Sequence, residues 1–124
     1  MRKTTTHHDG HGLNESIKIE ADQPGPGGAS HVYKASVDTG GGYMLPVAHV
    51  VFQKGPRNVE GSTPGVTDIA LLAIVEDRLK AFQSGAFACD ENQEALEAIR
   101  GAMEHMKERA NKRAARGVLG TYNK

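Results

Sequence analysis

The sequence predicts an α+β protein, in which a small antiparallel β-sheet in the N-terminal half precedes a long antiparallel helical hairpin that mediates oligomerisation. Short segments of the first half alternate between apolar and polar residues, the period of a half-buried strand. After residue 67 the apolar residues recur every three or four positions, the period of an amphipathic helix. Most of the 15 glycines precede that change, where they favour turns over helices.

Three strands are predicted in the first half. Residues 16–21 and 31–37 alternate, and residues 44–53 are rich in valine and phenylalanine. The connection 23–30 contains two prolines and three glycines, a composition typical of a hairpin loop. These segments therefore indicate a small antiparallel sheet.

Two helices are predicted in the second half. Thr67 and Asp68 suit a helix start, and the apolar positions of residues 69–83 define one buried face. A short turn leads to a longer helix over residues 90–115, which we expect to end at Gly117 because glycine adopts a left-handed C-terminal cap at the lowest cost. Helices joined by so few residues should fold back on each other.

The predicted organisation is one composite domain. Residues 1–12 are polar and turn-rich, without periodicity, and are expected to form a flexible arm. Residues 13–56 form the β-rich portion, 57–66 a linker, 67–117 the hairpin and 118–124 a tail.

Composition excludes several classes of protein. The 124 residues include 15 basic and 15 acidic residues, so we expect no long nucleic acid or membrane surface as a partner. The single cysteine, Cys89, cannot form an internal disulfide, and it is expected to be buried rather than nucleophilic. No signal peptide or membrane-spanning run is evident, so a reducing cytoplasm is expected.

Polar residues close both ends of the apolar stripe on the long helix. The stripe begins with Asn92 and ends with Arg113, and Arg109 and Arg116 lie one turn to either side of Arg113. Planar guanidinium groups on one face suit the phosphate oxygens of a compact anion. Phe82 offers a stacking face for a purine, and Asn92 offers a donor and an acceptor for a base edge or a ribose hydroxyl. The pattern predicts a nucleotide pocket.

Helix geometry makes this pocket a shared one. A tight turn brings Phe82 close to Asn92, whereas Arg109 lies roughly 25 Å from Asn92 along a straight helix that rises ~1.5 Å per residue. One small ligand cannot span that distance, so if all these residues belong to one pocket, Arg109 and Arg113 must come from a neighbouring copy. We therefore expect at least a dimer.

Each of these residues also has a purely structural interpretation. Phe82 suits a core or interface aromatic, Asn92 a helix cap, and the late cations complement the helix dipole. Two other functions stay open from the residues alone. One is a metal-dependent phosphodiesterase that uses His7, His8, Asp9 and His11, although adventitious metal affinity explains that short, glycine-flanked run better. The other is a hairpin that binds a protein or nucleic acid through residues 107–116.

Several segments of the chain resemble a known family. The segments Phe82 to Asn92 and Arg113 to Thr121, together with Pro26 to Tyr33 and Val51 to Pro56, are similar to the first-described Thoeris anti-defence proteins of phages. These proteins are cyclic-nucleotide sponges that share their helical hairpin with the sponges that counter the cyclic-oligonucleotide defence CBASS. Where the family often has Arg before the Glu-Asn pair, this chain has Asp90, which removes a cation.

The resemblance implies a protein without catalytic activity, cofactor or metal. Such a protein sequesters a glyco-cyclised ADP-ribose isomer (gcADPR) between protomers in the host bacterial cytoplasm, and so keeps an effector NADase inactive. It also implies homodimers or homohexamers, some of which in this family hold cyclic di- or trinucleotides at separate sites. Carried over by position, Phe82 and Asn92 would contact the ligand from one protomer and Arg109 and Arg113 from its partner. Arg57 and the loop 27–31 are further candidates.

Overall fold

The computed structural model describes residues 1–121 and 123. The chain divides into two compact units, of which the first spans Met1–Gly65 and the second begins at Val66. The first unit contains the sheet and the second contains the helices. The α+β class and its order along the chain are therefore confirmed.

The first unit is a four-stranded antiparallel sheet whose strands follow one another in sequence order. The strands are β1 (Arg2–Thr4), β2 (Ile17–Ala21), β3 (Val32–Asp38) and β4 (Met44–Val51). All three strands expected from the sequence are present, because alternating apolar residues form one side of a pleated sheet. A register shift between Ala35 and Ser36 marks an irregularity in the pairing of β3 with β4.

The first strand corrects one expectation. No regular structure was predicted before residue 13, yet Arg2–Thr4 pairs with β2 along the edge of the sheet. The Arg2 guanidinium donates to Ser30 Oγ at 2.9 Å, and Ser30 Oγ donates to the Asp22 carbonyl at 2.7 Å. Asp22 Oδ1 in turn accepts the backbone N–H groups of His31 and Val32, which lowers the pKa of its carboxyl group. This network holds the start of the chain against the β2–β3 loop.

The turn between β1 and β2 is organised around one carboxylate. Glu15 accepts the backbone N–H groups of Asp9, Gly10 and Gly12 at 2.5, 2.9 and 2.6 Å. Because these donors stabilise the charged form, the pKa of Glu15 is lowered to about 2. A largely exposed segment thus has a defined backbone path.

Hydrogen bonds also order the segment after β4. Lys54 and Thr63 exchange two backbone hydrogen bonds of 2.9 and 2.7 Å, which closes a loop between them. The Gln53 side chain accepts from the N–H group of Gly65 at 3.0 Å. At Gly65 a Cβ atom would overlap the backbone of residues 51–53, so the close approach of these two segments requires glycine.

The second unit contains two helices, α1 (Asp68–Gln83) and α2 (Asp90–Ala115). Thr67 caps α1, because its side chain accepts from the N–H group of Ala70 at 3.1 Å. Gly117 has a φ of 72°, the left-handed conformation expected after the end of α2. The predicted helices and their capping residues are confirmed.

The helices form an antiparallel hairpin. Glu76 on α1 pairs with Arg100 on α2 at 3.2 Å, and Gln83 on α1 donates to Gln93 on α2 at 3.3 Å. Going back along α1 from Gln83 to Glu76, the partner on α2 advances from Gln93 to Arg100, so the two helices run in opposite directions. Leu96 and Met103 are buried, whereas across Asp68–Gln83, all of which the structure describes, no residue is buried. The buried face expected on α1 is therefore wrong for the single chain, because α2 covers that face only in part. In the described part of the chain, neither helix is both long and apolar enough to cross a membrane.

Candidate ligand-binding site

The turn between the helices brings two aromatic rings together. Phe82 lies in the last turn of α1 and Phe87 in the connection, with their ring centroids 6.5 Å apart and their planes nearly perpendicular, at 86°. The Arg78 guanidinium lies 5.6 Å from the centroid of the Phe82 ring, a cation–π distance. Phe82 is 40% exposed and Phe87 is 76% exposed. Both rings are therefore accessible at the turn.

Asn92 lies beside these rings. Its amide group donates to the Phe87 carbonyl at 3.3 Å, and its side chain is half-buried in the first turn of α2. The cap of that helix is Cys89, which makes no capping hydrogen bond through its side chain. Asn92 therefore anchors the turn rather than capping the helix. Phe82 and Asn92 each contact Phe87, and we call these residues with Arg78 the turn cluster: Arg78, Phe82, Phe87 and Asn92.

The predicted cations lie at the other end of the hairpin. Arg109 is 17 positions beyond Asn92 on the same unbroken helix, a separation of roughly 25 Å at ~1.5 Å per residue. The pairing of Glu76 with Arg100 places the start of α1 opposite about residue 108 of α2. Arg109 is exposed, and among the described residues no hydrogen bond or ion pair holds it. The structure does not bring Arg109 to Phe82 within one protomer.

Arg113 has an intramolecular role that the sequence did not indicate. It is 8% exposed, and its Nη2 atom donates to the carbonyls of Val118 and Thr121, each at 2.9 Å. One arginine thus fastens the tail to the last turn of α2. Arg116 forms the C-cap of the same helix, with its backbone N–H directed back at the preceding carbonyls.

Arg57 lies in the first unit, in the loop after β4. It is exposed, and its Nη2 atom donates to the Gly65 carbonyl at 3.1 Å. This hydrogen bond spans the base of the loop that Lys54 and Thr63 close. Arg57 therefore contributes to loop geometry, whatever it binds.

Charge is distributed along α2 in the direction that its dipole favours. Asp90 and Glu91 occupy the first turn, and Lys112 and Arg113 the last turn. Lys112 also pairs with Glu108 at 3.3 Å on the exposed surface. The turn cluster consequently has acidic neighbours at the start of α2, and an anionic ligand group is better placed against the basic end.

Two residues of the turn cluster were not singled out from the sequence. Arg78 and Phe82 are four positions apart on α1, the spacing that places side chains on one face, so the cation–π pair was visible in principle. Phe87 lies in an irregular turn, where no periodicity predicts the direction of a side chain. Its contact with Phe82 follows only from the path of the connection.

The histidine-rich start of the chain does not form a metal centre in the described part of the protein. In residues 1–121 and 123, no group of three or more metal-ligating side chains is placed to hold an ion. The Asp9 carboxylate accepts instead from the His11 backbone and from the Asn14 side chain, and His7 Nε2 lies 2.7 Å from the Ile17 carbonyl. Cys89, expected to be buried, is exposed, because it begins α2 at the surface of the turn.

The protein thus combines a small sheet with a helical hairpin, whose turn is polar and aromatic and whose far end is basic. The chain belongs to the family described as the Acb2/Tad1 hairpin domain, whose model matches residues 44–115. This membership confirms the resemblance drawn from residues 82–92.

One curated relative was also matched. The chain is 38% identical over 78 residues to Thoeris anti-defense 1 of Bacillus phage SBSphiJ7, a match that covers 63% of this chain and 54% of that protein. The chain thus spans about half the length of the curated relative it matches.

Proposed function

We propose that this protein is a phage anti-defence sponge that binds gcADPR and sequesters it without cleavage. Lowering the free signal keeps the effector NADase of Thoeris defence inactive in the host cytoplasm. Family membership and the name of the phage relative support this proposal. The length of the hairpin gives the physical reason why the proposed site is shared between protomers.

The separation of the two halves of the site carries the proposal. Phe82 and Asn92 both contact Phe87 at the turn, whereas Arg109 and Arg113 lie near the opposite end of α2. A cyclic ADP-ribose isomer is much shorter than the distance between them. Two copies packed in opposite directions bring the aromatic turn of one copy to the arginines of the other, and one ligand then bridges both.

The exposed apolar surface of the hairpin supports such an assembly. Ile74 and Val75 of α1 are 60% and 44% exposed. Removing apolar area from water stabilises an interface by about 25 cal/mol per Å², so this helix face gains from a partner. The site is therefore proposed to form in a homodimer, or in a homohexamer built from dimers.

The chemistry of the ligand matches the two ends. The diphosphate carries two negative charges, which guanidinium groups bind by charge-assisted hydrogen bonds. Arg109 is the accessible group for this role, and Arg113 adds charge at the same end while it fastens the tail. Arg57 and Arg116 are proposed as additional contacts. Phe82 and Asn92 are assigned to the nucleoside end of the ligand, its base and ribose hydroxyls.

Sequestration requires affinity rather than turnover. A sponge must bind its ligand more tightly than the effector does, and nanomolar affinity corresponds to ~12 kcal/mol. A site enclosed between two protomers, with an aromatic ring at one side and guanidinium groups at the other, can reach this affinity because its groups are ordered before the ligand binds. No reacting nucleophile or base is required.

The test is recovery of the intact signal. Protein in molar excess over gcADPR is passed through an ultrafilter, and the retained fraction is heated and analysed by mass spectrometry and by effector NADase activity. We expect a filtrate without signal and, after heating, release of unchanged gcADPR that activates the effector. Arg109→Gln should leave the signal in the filtrate, whereas Lys107→Gln, an equal charge change on the same helix, should not.

Other outcomes have defined meanings. Unretained gcADPR would refute the sponge, and cleaved product after heating would indicate an enzyme. Retention of duplex DNA in place of gcADPR would favour the interaction-module interpretation. The second site for cyclic di- or trinucleotides is tested by competition, since a ligand at a separate site must bind without displacing gcADPR.

A further inference from the structure

We propose that Phe87 is the aromatic platform of the site, on which the purine base of the bound nucleotide stacks. This inference rests on the proposed function and adds a specificity-determining residue to it. Phe82 contacts the same nucleoside end of the ligand and also orients the Phe87 ring.

The exposure of the two rings distinguishes their roles. The Arg78 guanidinium lies 5.6 Å from the centroid of the Phe82 ring, and Phe87 meets that ring nearly at right angles. Phe82 is thus in contact with two side chains and is 40% exposed, whereas Phe87 is 76% exposed. Stacking needs a free ring face of the size of a base, and Phe87 offers the larger one.

The turn holds Phe87 in place although its ring is exposed. The Phe87 carbonyl accepts from Asn92, and the following Ala88 N–H donates to Gly85 at 3.3 Å. The N–H group of Cys89 donates to the Gln83 side chain at 2.9 Å. Hydrogen bonds therefore anchor the backbone at Phe87 itself and at the two positions after it. A platform that is ordered before binding costs little conformational entropy when the ligand arrives.

Local charge identifies the part of the nucleotide that belongs here. Asp90 and Glu91 lie three and four residues after Phe87, in the first turn of α2. These carboxylates offset the positive charges of Arg78 and of the α2 N-terminus, so this end attracts a phosphate less than the basic end does and leaves a neutral, planar base unaffected. Asn92, whose amide is already bonded to the Phe87 carbonyl, lies at the right place to read the edge of a base stacked on the Phe87 ring.

The chain contains no tryptophan, so one substitution creates both a reporter and a test. Phe87→Trp keeps a flat ring, and its fluorescence should be quenched on titration with gcADPR at near wild-type affinity. Ribose 5-phosphate, which lacks a base, should not quench it. Tyr43→Trp, at an exposed position of the first unit, is the matched reporter and should stay unchanged with both ligands.

Calorimetry of two further variants separates stacking from simple apolar contact. Phe87→Leu keeps apolar volume but removes the ring, and we expect gcADPR affinity to fall about 10-fold, within the range for loss of one base–aromatic contact. Phe87→Tyr should bind like the wild type. Equal affinity of Phe87→Leu and wild type would overturn the role of Phe87.

The failure of this inference is distinguishable from failure of the proposed function. If wild type binds gcADPR and Phe87→Leu binds it equally well, only the platform is wrong. If wild type does not bind gcADPR at all, the proposed function is wrong. Light scattering completes the design, because a lower assembly mass for Phe87→Leu would assign this ring to a subunit interface and overturn the platform.

Discussion

Arg109 and Arg113 share a residue type, a helix and a face, yet the structure predicts that only the substitution of Arg113 by glutamine destabilises the protein. Arg113 donates to the Val118 and Thr121 carbonyls, each at 2.9 Å, and is 8% exposed. A hydrogen bond from a charged group contributes roughly 1.5–3 kcal/mol, and the two bonds share one nitrogen atom. We therefore expect Arg113→Gln to lower the free energy of unfolding by about 3 kcal/mol.

Arg109→Gln is the matched control. Its side chain is exposed, and substitutions at such surface positions change stability by less than about 0.5 kcal/mol. Both variants should bind gcADPR more weakly, because each removes a cation from the proposed diphosphate site. Only Arg113→Gln should also be less stable. Measuring both stability and binding thus distinguishes Arg113, which is expected to bind the ligand and support the fold, from Arg109, which is expected only to bind the ligand.

Urea denaturation followed by circular dichroism at 222 nm measures the difference. The two variants and the wild type are compared at one protein concentration, since assembly makes apparent stability depend on concentration. Arg113→Gln should shift the midpoint to lower urea with an unchanged slope. Equal midpoints for Arg113→Gln and wild type would show that the tail does not depend on this guanidinium, and would refute the reasoning.

Two further predictions concern the backbone and the pH response. Gly65→Ala should destabilise the first unit by roughly 1–3 kcal/mol, because the new methyl group meets the backbone of residues 51–53. Gly101→Ala, in open space on α2, should stabilise the protein by about 1 kcal/mol, and thermal melts that show the same sign for both would contradict this account. The pKa of Glu15 lies near 2 when folded, against 4.5 as the reference value, so its stabilisation is present above pH 4.5 and is lost as the pH falls towards 2. Melting temperatures between pH 5 and 2 should therefore fall more steeply for wild type than for Glu15→Gln, and parallel curves would disprove the role of this carboxylate.

Local sequence patterns were sufficient to place the helices and most of the sheet. The bounds of α2 depend on an unbroken apolar period and on Gly117, and both act within one or two turns of the chain. The start of α1 depends on Thr67, whose side chain bonds three residues ahead. Such contacts are readable because the partners are close in sequence.

The missed strand β1 shows the limit of that approach. Three residues are too few to establish a period of two, and Arg2 is fastened by Ser30, which is distant in the sequence. Nothing in residues 1–12 identifies that partner. The Glu15 carboxylate and its three backbone donors became visible only once the turn was folded.

The candidate site divides in the same way. Residue types and helical spacing placed Phe82 and Asn92 at the same end of the hairpin and Arg109 far from them, because the rise of a helix is fixed. Only the tertiary structure decided that Phe87 joins the turn cluster and that Arg113 fastens the tail. Those contacts depend on the path of irregular backbone, and no repeating geometry relates the sequence to the direction of a side chain there.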